Sequence, residues 1–140
     1  MKNPILTITT VFLILFGTLH TQAQDFNPEQ NNYLVLSKNI QQLNPVLLTA
    51  SDLAKEDGKK FGAFYVIICG KTVTEISNNK HFEALLKKAK AQNVTVFVCG
   101  ISLKKFGIKP SQLPNNIEIT ENGILYGFQL SKKGFIALTI

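Results

Sequence analysis

Three apolar runs lack the alternation of a half-exposed strand: Tyr33–Ser37 (YLVLS), Phe64–Cys69 (FYVIIC) and Val94–Cys99 (VTVFVC). Continuous apolar strands of this kind are buried on both faces, as in a parallel sheet covered by helices. Between them the period changes to that of a helix. Asn44-Pro45 offers an N-cap and a first-turn proline, and Val46, Ala50, Leu53 and Ala54 follow as one stripe up to Gly58. Phe82, Leu85, Leu86 and Ala89 trace a clearer stripe through Asn79–Gln92, whose last turns carry Lys87, Lys88 and Lys90, as the helix dipole favours.

Lys71–Asn78 predicts one loose helical turn. Beyond the third strand the pattern predicts a brief helix over Ser102–Phe106, with Gly107 as its stop and Ile108 as the following apolar contact. A turn-rich loop over Lys109–Asn116 holds Pro110 and Pro114, and a short strand follows over Ile117–Thr120. Asn122–Lys133 reads as a weak helix that turns Ile124, Leu125 and Phe128 to the sheet. Gly134 ends it, and Phe135–Ile140 is the last strand. The alternation of strand and helix predicts an α/β fold, a three-layer α/β/α sandwich with a mainly parallel sheet. Right-handed crossovers then bring the C-terminal strand ends, and both Cys-Gly pairs, to one rim.

The chain begins differently. Lys2 precedes an apolar run from Ile5 to Leu19, and Thr21-Gln22-Ala23 follows it. A charged start, a short hydrophobic stretch and a small-residue end are the parts of a signal peptide. The run is short for a membrane span. Residues 1–23 are therefore expected to be a cleaved signal, 24–32 a mobile leader and 33–140 the folded domain. The mature protein is expected to be secreted or periplasmic, in an oxidising compartment with no membrane attachment after cleavage.

Composition excludes several functions. The net charge is +6, and all 15 basic side chains are lysine. Without arginine there is no bidentate fork for phosphates or base edges, and no basic-aromatic motif accompanies the lysines, so nucleic-acid binding is not expected. The lysine doublets suit solvated helix ends. No GxGxxG, Walker loop, HExxH or GxSxG occurs, and no cofactor is implied. Two cysteines and one mature histidine, His81, are too few for a zinc site. Asp52, Glu56 and Asp57 read as solvated charge on the first helix.

The chemistry left is that of Cys69-Gly70 and Cys99-Gly100, each closing a buried strand. Three readings stand open: small buried hydrophobes, a disulfide if the strands are neighbours, or a reactive thiol at Cys99. The last has a physical basis, because a helix start and nearby cations lower a thiol's pKa. Backbone N–H groups at Gly100–Leu103 follow Cys99, Lys104 and Lys105 come next, and Gly100 opens the main chain to a ligand. Gly100, Ser102, Lys104, Lys105, Cys69 and Gly70 are thus candidate ligand-binding residues around Cys99. Lys71 is the cation nearest Cys69 in sequence.

The run VTVFVCGISLKKFGI, followed by LPNNIEITENGILYGFQLSKKGFIAL, resembles the DsrE/DsrF-like sulfur-relay family. The likeness lies in a strand ending in Cys99, a short helical turn, Gly107, the strand near Ile117–Ile119 and a helix leading to Gly134-Phe135. It extends over Tyr33–Ile140. The resemblance implies a five-stranded sheet of order 4-3-2-1-5 and assembly into trimers or hexamers. It also implies a persulfide carried on Cys99, exchanged with a sulfur donor or acceptor protein. The alternative is a non-catalytic module that binds a small ligand or a protein, with structural or disulfide-bonded cysteines. An apolar patch for assembly is sought at Phe106, Ile108, Tyr126 and Phe128, which serve equally well as monomer core.

Overall fold

The computed structural model describes residues 26–140, and the expected signal peptide lies outside them. β1 (Asn31–Ser37), β2 (Phe61–Ile68) and β3 (Val94–Cys99) are the three apolar runs, joined by α1 (Leu43–Asp57) and α2 (Lys80–Ala91). α3 (Gly100–Lys105) follows β3 directly, then β4 (Glu118–Thr120), α4 (Gly123–Lys132) and β5 (Ile136–Thr139). All pairings are parallel, and the strand order is β4-β3-β2-β1-β5.

That order fixes the layers. From β1 to β4 each crossover steps the same way along the sheet, so right-handedness puts α1, α2 and α3 on one face. The step from β4 back past β1 to β5 runs the other way and sends α4 to the opposite face. The two cores agree. Val35, Phe64, Val66, Val96 and Val98 pack with Leu47, Leu86 and Leu103 on the three-helix side. Leu34, Tyr65, Ile67, Phe97, Cys69 and Cys99 pack with Leu130 and Phe135 beneath α4.

The helix starts follow local chemistry. Asn79 caps α2, its side chain accepting from the Phe82 N–H at 3.0 Å. Asn122 caps α4, accepting from the Leu125 N–H at 3.1 Å. α1 begins otherwise than expected. Asn44 lies inside it, and the side-chain cap is Asn39, which opens a short 3-10 turn over Ile40–Gln42. Lys71–Glu75 is the loose turn the sequence indicated, here a 3-10 helix.

Three further expectations change. Ile124, Leu125 and Phe128 do not face the sheet but stand exposed, and Gly123, Gly127 and Leu130 are the buried side of α4. An aromatic layer already fills that face: Tyr65 and Phe97 meet edge-on at 5.3 Å, with Phe135 and Tyr126 each about 5.2 Å from one of them. Gly123 makes the close approach at the end of this layer, where a Cβ would sit 2.8 Å from Ile67 Cγ2, and Leu130 packs beneath α4 further on. Part of the stretch read as leader is tied down. Phe26 packs on Phe135 at 5.0 Å, and Asn32 donates to the Asn27 carbonyl and accepts from the Ala63 N–H. Asp57 is not merely solvated, since its carboxylate accepts from the Tyr33 hydroxyl at 2.6 Å. Burial and that carboxylate push Tyr33 up to about 12.

Candidate thiol site at the sheet rim

β2 and β3 run in register from Phe64↔Val94 to Ile68↔Val98, so the next step places Cys69 beside Cys99. Cys69 keeps the extended path, donating its N–H to the Ser37 carbonyl at 2.9 Å. Both side chains lie on the α4 face, and both thiols are free. Gly70 turns the chain away at φ 83°, a conformation suited to glycine.

The start of α4 lies over the pair. The Gly123 N–H donates to Cys99 Sγ at 3.3 Å. A Cβ on Gly123 would sit 2.8 Å from Cys69 Sγ and 3.1 Å from Cys99 Cβ, so only glycine allows this approach. A similar constraint holds at Gly100, where a Cβ would meet the Glu121 carbonyl oxygen at 3.0 Å. The Ile101 N–H donates to that same carbonyl at 3.1 Å, which ties the start of α3 to the segment leading into α4. Ser102 completes the cluster. Its buried Oγ accepts from the Gly70 N–H at 2.8 Å, leaving the hydroxyl proton to donate to Cys99.

The two thiols diverge electrostatically. For Cys99, burial is the largest single influence and opposes ionisation. The Gly123 and Ser102 N–H groups, the Ser102 hydroxyl and the Cys69 thiol together outweigh it and hold Cys99 below its usual value. For Cys69 nearly everything acts upward. Burial, the charge on Cys99 and the hydrogen bond given to Cys99 push it up to about 12, with only Lys38 acting against them. The pair is one acid-base unit: an ionisable sulfur at 99 and a protonated donor at 69.

Of the residues singled out in the sequence, Cys99, Gly100, Ser102, Cys69 and Gly70 come together. Lys104 and Lys105 do not join them. Both are exposed, Lys105 lies 5.7 Å from the centre of the Phe106 ring, and neither acts on the Cys99 thiol. The depression of Cys99 is therefore the work of backbone, hydroxyl and thiol donors rather than ammonium groups. Lys38, not Lys71, is the cation acting on Cys69. Nor is Cys99 an open thiol, for it is 4% exposed.

Gly123 is the residue that sequence reasoning missed. Its signal was the pairing of β3 with β4, which sets Cys99 beside Thr120 and so brings Asn122-Gly123 back to the thiol. Between α3 and α4 the surface opens into a cleft of about 430 Å³, lined among others by Ile101, Lys104, Thr120, Asn122 and Tyr126. It lies against the backbone that covers Cys99. Among the described residues no group of three or more His, Cys, Asp or Glu side chains is placed to hold a metal ion. None of their helices is long and apolar enough to cross a membrane.

A parallel α/β domain with a buried, hydrogen-bonded thiol at the carboxyl end of its third strand defines the class. The DsrE/DsrF-like family model matches residues 50–138, and the chain belongs to that family. Solved structures share the fold. A protein of unknown function from Methanobacterium thermoautotrophicum, MTH1491, superposes with a TM-score of 0.62 at 14% identity, covering 79% of this chain and all of its own. BT1422 from Bacteroides thetaiotaomicron, a conserved protein of unknown function, gives 0.59 at 20% identity over 78% of this chain and 95% of its own. The ychN protein from E. coli gives 0.59 at 18% identity, covering 78% and 99%. A comparison with curated proteins finds no match.

Proposed function

We propose that this protein carries sulfur as a persulfide on Cys99. The observation that supports the reading most is the Gly123 N–H set 3.3 Å from Cys99 Sγ, within a donor set that favours the anion. A thiolate is the nucleophile in sulfur exchange. The Cys99 thiolate attacks the outer sulfur of a donor persulfide R–S–SH, forming Cys99–S–SH and releasing R–S⁻. An acceptor thiolate then takes the outer sulfur and returns Cys99 to its anion. Both steps conserve charge and electrons. The donor and acceptor reach the cleft between α3 and α4, and the turn from Thr120 to Gly123 shifts to admit them, because Cys99 is covered at rest.

The carrier works as a homo-oligomer, a trimer or hexamer, after export to the periplasm or beyond. Supporting assembly, Ile124, Leu125 and Phe128 on α4 and Ile136 and Leu138 on β5 are all more than half exposed. Ile136 and Leu138 pair with Tyr33 and Val35 of the three-helix face, so the chain offers two separate apolar areas, one on α4 and one at the β5 edge, and apolar patches mark interfaces where single exposed residues do not. Of the positions considered for this patch, Phe128 alone is fully available. Phe106 and Ile108 pack against the three-helix core and Tyr126 against Phe97.

The burial of Cys99 favours a second reading, a non-catalytic binding module whose thiols are interior packing. Intact mass after incubation with glutathione persulfide separates the two. One sulfur added to the wild type and none to Cys99→Ser is the expected result; an unchanged wild-type mass leaves the second reading.

A further inference from the structure

Cys69 takes no covalent part in the transfer cycle above, yet its thiol belongs to the same site as the reacting sulfur. Continuing the β2–β3 register places it beside Cys99 in adjacent parallel strands, which lie about 4.8 Å apart. That spacing falls within the range of about 4.4–6.8 Å between Cα atoms that a disulfide spans. Both side chains lie on one face, under one glycine, and the thiols are already hydrogen-bonded to each other.

We propose that Cys69 is the resolving thiol of this site, attacking Cys99 Sγ when a persulfide there finds no acceptor, so that a Cys69–Cys99 disulfide forms and the outer sulfur leaves as hydrogen sulfide. The proposal rests on the persulfide reading. In the step, the Cys69 proton passes to the outer sulfur of the Cys99 persulfide anion. The Cys69 Sγ–Cys99 Sγ bond forms as the bond from Cys99 Sγ to the outer sulfur breaks, and HS⁻ departs to take a proton from water. Cys69 is oxidised and the outer sulfur is reduced by the same amount, so no external oxidant enters. The timing follows from charge. At rest burial and, after it, the anion on Cys99 keep Cys69 protonated; sulfur uptake moves that charge one bond further out and weakens the second of these. Acceptors therefore compete with a built-in drain, and the site discharges rather than holding a reactive sulfur indefinitely.

The test is anaerobic. Full-length protein is loaded with glutathione persulfide, desalted, and followed by intact mass without reductant and by a sulfide electrode. Wild type is expected to lose the added sulfur as sulfide and to yield a peptide containing Cys69 linked to Cys99. Cys69→Ser and Cys69→Ala, checked for folding by circular dichroism, are expected to keep the added sulfur and lose the sulfide release. Peptide mapping of the loaded wild type decides the matter if neither variant folds. Wild type that keeps its persulfide as long as the variants do, or releases sulfide without the Cys69–Cys99 link, overturns the proposal alone. No sulfur on Cys99 in any protein overturns the carrier reading and this proposal with it.

Discussion

Cys69 and Cys99 occupy near-identical sequence surroundings, FYVIICGK and VTVFVCGI, and are both buried, yet their pKa values are pushed in opposite directions. What separates them is what each sulfur receives. Cys99 takes donors from Gly123, Ser102 and Cys69; Cys69 gives one away. A hydrogen bond to a charged group contributes about 1.5–3 kcal/mol, and a pKa unit corresponds to about 1.4 kcal/mol. Ser102→Ala is therefore expected to raise the Cys99 midpoint and to slow its alkylation at neutral pH. It also strands the Gly70 N–H, at a cost of about 1–3 kcal/mol in urea unfolding. Lys104→Ala and Lys105→Ala are expected to leave the Cys99 midpoint where it is. The sequence made the cysteines, Ser102 and the two Cys-Gly turns visible, because they are neighbours along the chain. It credited the lysines with lowering the Cys99 pKa, where the causes are hydrogen-bond donors, because charge can be read from a sequence but the direction of a backbone N–H from a distant helix cannot.

At the scale of elements, α4 decides the site. Among the described residues it is the one helix on its face, it supplies the N–H that meets Cys99, and its buried side is Gly123, Gly127 and Leu130. Gly123→Ala would set a methyl 2.8 Å from both Cys69 Sγ and Ile67 Cγ2, so the helix must lift. Overpacking of this kind costs about 1–3 kcal/mol. The variant is expected to lose that stability in denaturant and to lose the low Cys99 midpoint as well. Retention of both would show that the helix start does not govern the thiol. Strands and the α2 stripe were legible because apolar runs and an Asn79 cap are local signals. The facing of α4 was not. Its apolar residues trace one stripe, but the side that meets the sheet is set by the approach of Gly123 to Cys69, Ile67 and Cys99, a long-range contact that no local pattern shows.

For the whole molecule, among the described residues right-handed crossovers and the strand order leave α4 alone on its face of the sheet, while β5 at the edge exposes Ile136 and Leu138 on the other face. The proposed assembly would cover such surface. Light scattering is expected to give a mass of several chains for the wild type and a smaller mass for Phe128→Asp, with no loss of helix. A monomer at high concentration contradicts this.

Alkaline pH should loosen the fold itself. Cys69 and Tyr33 are both pushed up to about 12, so each holds its proton more tightly folded than unfolded. The stability they contribute is complete below their ordinary values and is lost as pH climbs through about 12. Urea midpoints are expected to fall across that window, and Tyr33→Phe to soften the fall. A flat profile would contradict the assignment.

The charge of one sulfur decides the chemistry of the site. Site-resolved alkylation of the native wild-type protein across pH, read by peptide mass, measures it directly. The prediction is that Cys99 is modified with a midpoint below that of free cysteine, while Cys69 stays unmodified until strongly alkaline pH. A Cys99 midpoint at or above that of free cysteine, or equal labelling of the two thiols at neutral pH, would contradict it.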